Sequence, residues 1–240
     1  MSDLPIYTRD EPPPRPFDGF GAVLVDKPGG ITSFGVVKAV RRALNVPKVG
    51  HAGTLDPMAS GLLVLLLGRN ATRQQDRFMG LPKVYTGTVR LGQTTSTYDA
   101  ESDIEVEADA SGVTLADVEA LVDQFSGDIQ QAPPAFSALK RGGERLYKKA
   151  RRGETVVVDA RPVSVYELAW TNLRAGDAAR TMDVDFRVHC SKGFYVRSLA
   201  FDVGAALGVG GHLTALRRES IGPFRVSEAL SLDELTREAA

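Results

Sequence analysis

The sequence predicts an α+β fold. Segments typical of strands and of helices follow one another without a regular alternation, and the chain contains no internal repeat. This order favours an α+β architecture over a doubly wound parallel sheet. With 240 residues, 43% of them apolar and 25% charged, the chain has ample material for a buried core.

The first elements follow from simple patterns. Residues 1–19 are polar and rich in Pro, which predicts a flexible arm. GAVLVDKPGG indicates a short buried strand that ends in a Pro-Gly-Gly turn. The next segment, SFGVVKAVRRALN, has apolar residues at helical spacing, and Ser33 is its expected N-cap.

Later segments predict a mixture of strands and helices. KVYTGTVRLGQ, RPVSVYELAW and TMDVDFRVHC are typical of strands, and TNLRAGDAA between the last two is expected to be a turn-rich link. Helices are expected over 114–125 and in three further segments, GFYVRSLAFDVGAALG, HLTALRR and LDELTRE. Residues 126–153 are interrupted by Pro and Gly, which indicates a long insertion that ends in a short basic helix.

The charge distribution is uneven although the net charge is only −1. Residues 139–153 carry seven Lys or Arg against one Glu, whereas residues 99–109 carry six acids and no base. The basic block is a candidate polyanion-binding surface, with a solvated helix face as the alternative. The acidic block is expected to be a solvated loop.

Composition excludes several classes of protein. No apolar run approaches the roughly 20 residues that a membrane helix needs, and the N-terminus does not have the pattern of a signal peptide. The single cysteine, Cys190, fits a reducing compartment. We therefore expect a cytoplasmic protein without a membrane partner.

Neither a metal site nor a cofactor site is predicted. The phosphate-binding patterns G-x-x-x-x-G-K-[ST] and strand-to-helix G-x-G-x-x-G do not occur. The histidines His51, His189 and His212 are far apart, and His189 and Cys190 are adjacent on a predicted strand, where they point to opposite faces. Carboxylate chemistry assisted by Arg, Lys or Tyr remains.

Asp56 is the carboxylate in the most unusual setting. It lies in GHAGTLDPMASGLLVLLLG, in a turn that is rich in Gly and Pro and directly precedes an all-apolar run. The glycines allow close backbone approach, and Leu62–Leu67 would anchor the turn in the core. A carboxylate held in this way can act as a nucleophile if a cation keeps it ionised. A turn-stabilising Asp is the ordinary alternative.

Five stretches resemble the TruB family of tRNA pseudouridine synthases, and they occur in the family's order. They are VLVDKPGGITSF, GHAGTLDPMASGLLVLLLGRNATR, KVYTGTVRLGQTTSTYDA, PPAFSALKRGGERLYKKARRGE and HCSKGFYVRSLAFDVGAALGVGGHLTALRR. Together they extend from about Phe20 to Ser220. The resemblance implies the pseudouridine synthase fold, with a central mixed, mostly antiparallel sheet flanked by helices and an insertion that grips RNA.

The resemblance implies three catalytic residues. Asp56 would attack the nucleoside, Arg197 would be the cation paired with it, and Tyr85 would stack on the flipped uracil near C5. Tyr85 could instead be an ordinary strand aromatic, and Arg197 could pair with a phosphate or another acid.

Binding residues are implied in the same way. His51 would fill the space that the flipped base leaves or stack within its loop, and Leu216 would close the pocket as well as belong to the core. Lys27 would support the site or touch a phosphate. The insertion would bind phosphates through four cations, which are Lys140, Arg141, Arg145 and Lys148.

The implied activity is isomerisation of the T-loop uridine of tRNA, position 55 in tRNA numbering, to pseudouridine after base flipping. The enzyme would act on the T stem-loop as a monomer without guide RNA. The alternatives are a guide-dependent member of the archaeal and eukaryotic branch, a tRNA-folding chaperone and a catalytically silent RNA-binding protein. The catalytic domain is expected over 20–230, and 231–240 would be a C-terminal helix or stub where the family's PUA domain would begin.

Overall fold

The fold is described from a computed structural model, which describes residues 4–137, 140–141, 144–145, 152 and 158–237. The strands in chain order are β1 (Ile6–Tyr7), β2 (Gly21–Lys27), β3 (Val49–Ala52), β4 (Ser60–Leu67), β5 (Lys83–Leu91), β6 (Gln93–Thr95), β7 (Ile104–Glu107), β8 (Gly127–Gln131), β9 (Lys140–Arg141), β10 (Glu144–Arg145), β11 (Arg161–Ala175), β12 (Met182–Cys190), β13 (Gly211–Ile221), β14 (Phe224–Arg225) and β15 (Leu230–Ser231). The α-helices are α1 (Ser33–Ala43), α2 (Gly68–Thr72), α3 (Asp76–Met79), α4 (Leu115–Glu119), α5 (Val196–Ala206) and α6 (Leu232–Thr236).

The chain divides into two compact units. The first unit is Met1–Tyr85 with Leu216–Ala240, and the second unit is Thr86–Ala215. Strands β5 and β13 contribute residues to both. Most of the strand pairs among the described residues are antiparallel, whereas β1 and β2, β4 and β13, and β2 and β15 pair in parallel. The predicted α+β class with a mixed, mostly antiparallel sheet is confirmed.

Strand β4 is the centre of the first unit. It pairs with β2 along one edge and with β3 and β13 along the other. Every residue from Leu62 to Leu67 is at most 1% exposed. Alternate residues of this run belong to two different core clusters, one on each face of the strand. A strand covered on both faces has a continuous apolar sequence, which explains the run LLVLLL.

Helix α1 forms as predicted, but its N-cap differs from the expected one. The cap is Thr32, whose hydroxyl accepts a hydrogen bond from the Gly35 amide at 2.9 Å. The expectation for Ser33 is wrong because Ser33 is already the first helical residue. Its hydroxyl is buried and bonds the backbone of Leu55, a tertiary contact that a local pattern does not reveal.

Part of the expected flexible arm is paired with the sheet. Ile6–Tyr7 form β1, which lies parallel to β2, and Leu4 is buried. The loose conformation expected for residues 1–19 is therefore corrected for these positions, because backbone pairing and burial of Leu4 attach them to the core. At the other end of the chain, the predicted helix in LDELTRE is confirmed as α6, which begins at a capping box of Ser231 and Glu234.

The sheet of the second unit has the order β13-β5-β12-β11-β8. Trp170 of β11 lies across from Phe186 of β12, and their rings meet edge to face with centroids 5.8 Å apart. The turn-rich link expected in TNLRAGDAA is wrong for its first part. Residues up to Ala175 extend β11, because they continue the antiparallel pairing as far as Met182.

Two expected helices are corrected. HLTALRR lies in β13, where Leu216, Arg218 and Ser220 are buried and the residues between them are half-exposed. Over seven residues a helical and a strand pattern are difficult to distinguish, and pairing with β4 and β5 decides for the strand. The helix expected over 114–125 is shorter than predicted, since α4 ends at Glu119 and a single 3-10 turn follows over Asp123–Phe125.

Candidate active site

Asp56 lies in a short loop between two paired strands of the first unit. Strands β3 and β4 are antiparallel neighbours, and residues 53–59, here called the Asp56 loop, connect them. Leu55 and Ala59 are buried at 4% and 0% exposure, whereas Asp56 is half-buried. Anchors on both sides therefore hold the carboxylate at the edge of the core.

Lys27, the last residue of β2, holds the second half of the Asp56 loop. Its side chain is fully buried, and its ammonium donates to the carbonyls of Pro57 at 3.1 Å and Ala59 at 2.6 Å. It also donates to the Pro28 carbonyl at 2.9 Å. Of the two roles implied for Lys27, these contacts favour support of the site over contact with a phosphate.

Ser33 and Arg218 hold the first half of the Asp56 loop. Ser33 Oγ accepts from the Leu55 amide and donates to the Leu55 carbonyl, both at 2.9 Å. Arg218 is 1% exposed, and its guanidinium donates to the carbonyls of Gly53 at 3.1 Å and Leu62 at 2.7 Å. With both halves bound to buried side chains, the loop is organised before any substrate binds.

The close backbone approach expected beside Asp56 is confirmed at Gly61. Its φ is 100°, in the left-handed region. A Cβ at this position would lie 2.4 Å from the carbonyl oxygen of Arg218 on β13. Glycine therefore allows β13 to pair with the start of β4, so that the Arg218 side chain reaches the Asp56 loop.

His51 lies on β3 across from Leu65. Burial, together with the positive charge of Arg218, lowers the pKa of His51 below its usual value, so the ring is mainly neutral at pH 7. Its Nδ1 atom is buried and has no hydrogen-bond partner among the described residues. Both roles implied for His51 stay predictions.

Leu216 and Tyr85 lie on strands that follow β4 in the order of the sheet. Strand β13 is parallel to β4 with Arg217 beside Ser60, so Leu216 lies beside the end of the loop. Leu216 is 9% exposed, in agreement with its expected place in the core. The neighbour of β13 on its other side is β5, which carries the half-buried Tyr85. Leu216 and Tyr85 thus lie on the two strands that follow β4 in the sheet, and their catalytic and binding roles stay predictions.

Arg197 belongs to the second unit, where it is the second residue of α5 and 7% exposed. Its guanidinium donates to the carbonyls of Thr97 at 2.9 Å and Phe136 at 3.0 Å. Its Nε atom lies 3.5 Å from a carboxylate oxygen of Asp99. The group is therefore held in one orientation, and the pairing of Arg197 with Asp56 of the first unit stays a prediction.

Asp99 was not among the predicted site residues. The expectation of a solvated loop is wrong for this acid, which is 1% exposed and also accepts from Thr97 Oγ1 at 2.5 Å. Its neighbour Arg197 compensates the buried charge. A signal was present: Asp99 lies within the family-like stretch KVYTGTVRLGQTTSTYDA, whereas the acids after it, which are exposed as expected, lie beyond that stretch.

Only part of the basic insertion lies within the described residues. Lys140–Arg141 and Glu144–Arg145 form the antiparallel pair β9 and β10. Lys148 and the short basic helix expected at the end of the insertion lie outside the described residues. The phosphate-binding role of Lys140, Arg141, Arg145 and Lys148 stays a prediction.

The described residues contain no group of three or more His, Cys, Asp or Glu that could hold a metal ion. His189 and Cys190 differ in their surroundings, since His189 lies beside the Tyr166 ring and Cys190 is buried. His212 is buried, its Nδ1 lies 3.2 Å from the Gln93 carbonyl, and burial lowers its pKa. Across the same described ranges, every helix is too short or too polar to cross a membrane.

Two solved structures of protein complexes share this fold. A Cbf5-Nop10-Gar1 complex matches 97% of this chain with 31% identity and a TM-score of 0.68. An H/ACA RNP bound to a substrate RNA containing 2'-deoxyuridine matches 89% with 30% identity and a TM-score of 0.64. This chain spans 58% and 51% of those two chains. The architecture is the pseudouridine synthase fold.

Family models and sequence relatives show to which family of pseudouridine synthases the chain belongs. Residues 41–196 match the model described as "TruB family pseudouridylate synthase (N terminal domain)", and residues 197–240 match "tRNA pseudouridylate synthase B C-terminal domain". A relative from Thermobifida fusca is 50% identical over 91% of this chain and 75% of its own length. Another, from Mycolicibacterium paratuberculosis, is 51% identical over 90% and 72%. Both are named tRNA pseudouridine synthase B. The chain belongs to the TruB family of pseudouridylate synthases, which are isomerases.

Proposed function

We propose that the protein converts a uridine of tRNA to pseudouridine, and that its target is the T-loop uridine at position 55. The observation that carries this proposal is the Asp56 loop, in which buried side chains hold a half-buried carboxylate in place. Relatives that are about 50% identical have names that specify tRNA and pseudouridine.

The reaction is an isomerisation, so every atom of the uracil except exchanging protons is kept. The N-glycosidic bond breaks, the uracil turns, and C5 of the base bonds to C1′ of the ribose. The C5 proton leaves to solvent and N1 gains a proton. Asp56 attacks the nucleoside at the ribose or the base and is released when the new carbon–carbon bond forms.

The other site residues act on the flipped nucleoside or on Asp56. Tyr85 stacks on the uracil, which offsets part of the few kcal/mol that base flipping costs, since stacking is worth about 1–3 kcal/mol. Arg197 keeps Asp56 ionised. Lys27 acts through the backbone of the Asp56 loop and is a positioning residue.

RNA binding precedes this chemistry. The cations of the insertion bind phosphates of the T stem-loop, which makes affinity dependent on salt. Although one similar solved structure is an H/ACA RNP bound to a substrate RNA, we propose that this chain acts without guide RNA, as a monomer and in the cytoplasm. Its close relatives are named for tRNA alone, and its basic insertion supplies an RNA contact of its own.

Tritium release from C5-labelled uridine tests this function. The substrate is an unmodified T-arm hairpin, and wild type is compared with Asp56→Asn in the absence of guide RNA and added metal. Release by the wild type and none by the variant is expected. A matched control is Asp26→Asn, which changes another half-buried carboxylate of the first unit. Equal release by wild type and Asp56→Asn would contradict the catalytic assignment.

A tRNA-folding role can accompany the chemistry, because the contacts that bind and open the T arm do not require Asp56. Refolding of a misfolded tRNA by Asp56→Asn at the wild-type rate is expected in that case. An Asp56→Asn protein that binds tRNA normally and does not refold it would exclude the role.

A further inference from the structure

Helix α1 and the segment after it carry an unbalanced positive charge. Residues 28–55 contain no Asp or Glu, although the chain has 30 of them. Four cations lie in this stretch, and all are exposed: Lys38, Arg41, Arg42 and Lys48. None of the four forms an ion pair with an acid of the described residues. We call them the α1 basic patch.

The patch lies on the face of α1 that is turned away from the core. Val36, Val37 and Val40 are buried on the inner face. On the outer face, Phe34 precedes Lys38 by one turn and is 60% exposed, with the Lys38 ammonium 4.9 Å from its ring centroid. The outer face therefore presents an aromatic ring in line with cations, the combination that suits nucleic acid.

A depression of about 610 Å³ lies at the end of α1. Its walls are Lys38, Arg41, Arg42, Asn45, Val46 and Pro47. Two guanidinium groups, an ammonium and an amide here offer many donors in one place, which matches the oxygens of a phosphate. Cations at the end of a helix also favour its dipole, but this explains neither Lys38 in the middle of α1 nor Lys48 beyond it.

The patch is connected to the Asp56 loop within the first unit. Ser33, at the start of α1, bonds the backbone of Leu55 at 2.9 Å. The 11 residues of α1 span about 16 Å at 1.5 Å per residue, so the end of the helix lies at that order of distance from the loop. An A-form RNA stem rises by somewhat less than ~3 Å per base pair, so this distance corresponds to roughly six base-pair steps.

We propose that the α1 basic patch binds backbone phosphates in the stem of the RNA hairpin whose loop contains the target nucleoside. The inference rests on the proposed function and adds a contact outside the nucleoside pocket and outside the basic insertion. RNA is favoured over an anionic membrane or an acidic protein because the patch lies about 16 Å from the loop that holds the predicted nucleophile, a distance that a short RNA stem spans.

The test is the salt dependence of RNA affinity. The patch variant is Lys38→Gln/Arg41→Gln/Arg42→Gln. The control variant, Arg9→Gln/Arg161→Gln/Arg187→Gln, removes the same charge from three exposed positions elsewhere. Binding of a T-arm hairpin is measured over a range of salt concentrations. Each lost phosphate contact reduces the slope of log K against log[salt] by about 0.7–0.9, so we expect a reduction of about 2 for the patch variant and almost none for the control.

The length of the RNA stem gives a second readout. With the stem shortened to two base pairs, the hairpin does not reach the patch, and wild type and patch variant are expected to bind equally. With saturating full-length hairpin, the patch variant keeps the wild-type kcat for tritium release, while its KM rises by about tenfold or more.

Three outcomes would overturn the proposal. The first is an equal change of the salt slope in the patch variant and the control variant. The second is an RNA affinity of the patch variant that equals that of the wild type. The third is a patch variant that no longer binds phosphatidylserine vesicles but binds RNA normally. If the triple variant is unstable by thermal unfolding, Lys48→Gln is measured instead, with an expected change in slope of about 0.7–0.9. The patch variant could reduce the salt slope of RNA binding while the wild type releases no tritium. That result would reject the proposed function but would still support RNA binding by the patch.

Discussion

The Asp56 loop and the start of α5 both hold a predicted catalytic residue, and they do so in different ways. In the first unit, buried Lys27 and Arg218 bind main-chain carbonyls, so they fix the backbone on which Asp56 stands. In the second unit, the contacts are made to the functional side chain itself, because Asp99 and two carbonyls bind the Arg197 guanidinium.

Because of this difference, substitutions in the two regions should affect stability and activity to different degrees. Contacts that join the loop backbone to buried side chains belong to the fold, so their loss should lower the free energy of unfolding as well as the activity. Contacts to the Arg197 side chain also orient a predicted catalytic group, so their loss should lower the activity beyond what the broken buried ion pair costs in stability.

The largest loss of stability is expected where the backbone of β4 meets β13. Gly61→Ala would add a Cβ 2.4 Å from the Arg218 carbonyl oxygen at a φ of 100°, and we expect it to cost about 3 kcal/mol or more. The control is Gly30→Ala, at a φ of 82° with no atom within 4 Å of the added Cβ, where only backbone strain of about 1–2 kcal/mol is expected. Urea unfolding measures both. Equal losses would show that close packing at Gly61 is not critical.

Arg218→Met tests the backbone contacts directly. It leaves the carbonyls of Gly53 and Leu62 without their donor, and each unsatisfied group costs about 1–3 kcal/mol, so we expect a loss of about 2–6 kcal/mol. Its neighbour Arg217 is half-exposed and pairs with Asp26 at 2.7 Å, and Arg217→Met should cost less than about 1 kcal/mol. A stability loss confined to Arg217→Met would contradict the role given to Arg218.

Asp99→Asn tests the contacts that orient the Arg197 guanidinium in the second unit. Misplacement of the Arg197 guanidinium is expected to lower kcat for tritium release by about 100-fold, while KM for the hairpin stays within about twofold. Asp103→Asn, at an exposed acid of the same segment, is the control and should keep wild-type kcat. If KM rose and kcat did not change, Asp99 would act in binding rather than in positioning Arg197.

The smallest expected effect concerns Asp202, which lies on the same helix as Arg197. Burial raises the pKa of Asp202 on α5 to about 6, above its unfolded value of 3.8. The folded state therefore binds this proton more tightly, and stability is lost as the pH rises from about 4 to 6. Asp202→Asn should have no effect below pH 4 and should stabilise the protein by about 1 kcal/mol above pH 6, a value reduced for solvent screening. Unfolding curves at pH 4 and pH 7 measure the difference. A stabilisation that is equal at both pH values would show that burial of the charge is not its cause.

Elements with a long and regular pattern could be predicted from the sequence. Helix α1 has four residues on one buried face, and β4 has six consecutive apolar residues. The local pattern of apolar residues was therefore sufficient to predict both elements. The helix expected in HLTALRR was wrong because seven residues are too few to distinguish the two periods. The N-cap was wrong because Ser33 is bound to Leu55, 22 residues away in the sequence.

The sequence by itself determined the family, the class of fold and the candidate residues Asp56, Tyr85 and Arg197, because family motifs and apolar periodicity are local properties of the chain. The tertiary structure alone decided which residues hold them. Arg218, Ser33 and Asp99 reach their partners across 165, 22 and 98 residues, and such pairs form only when strands and helices pack. A buried charge or hydroxyl is stable only beside its partner, and a linear sequence does not show which partner that is.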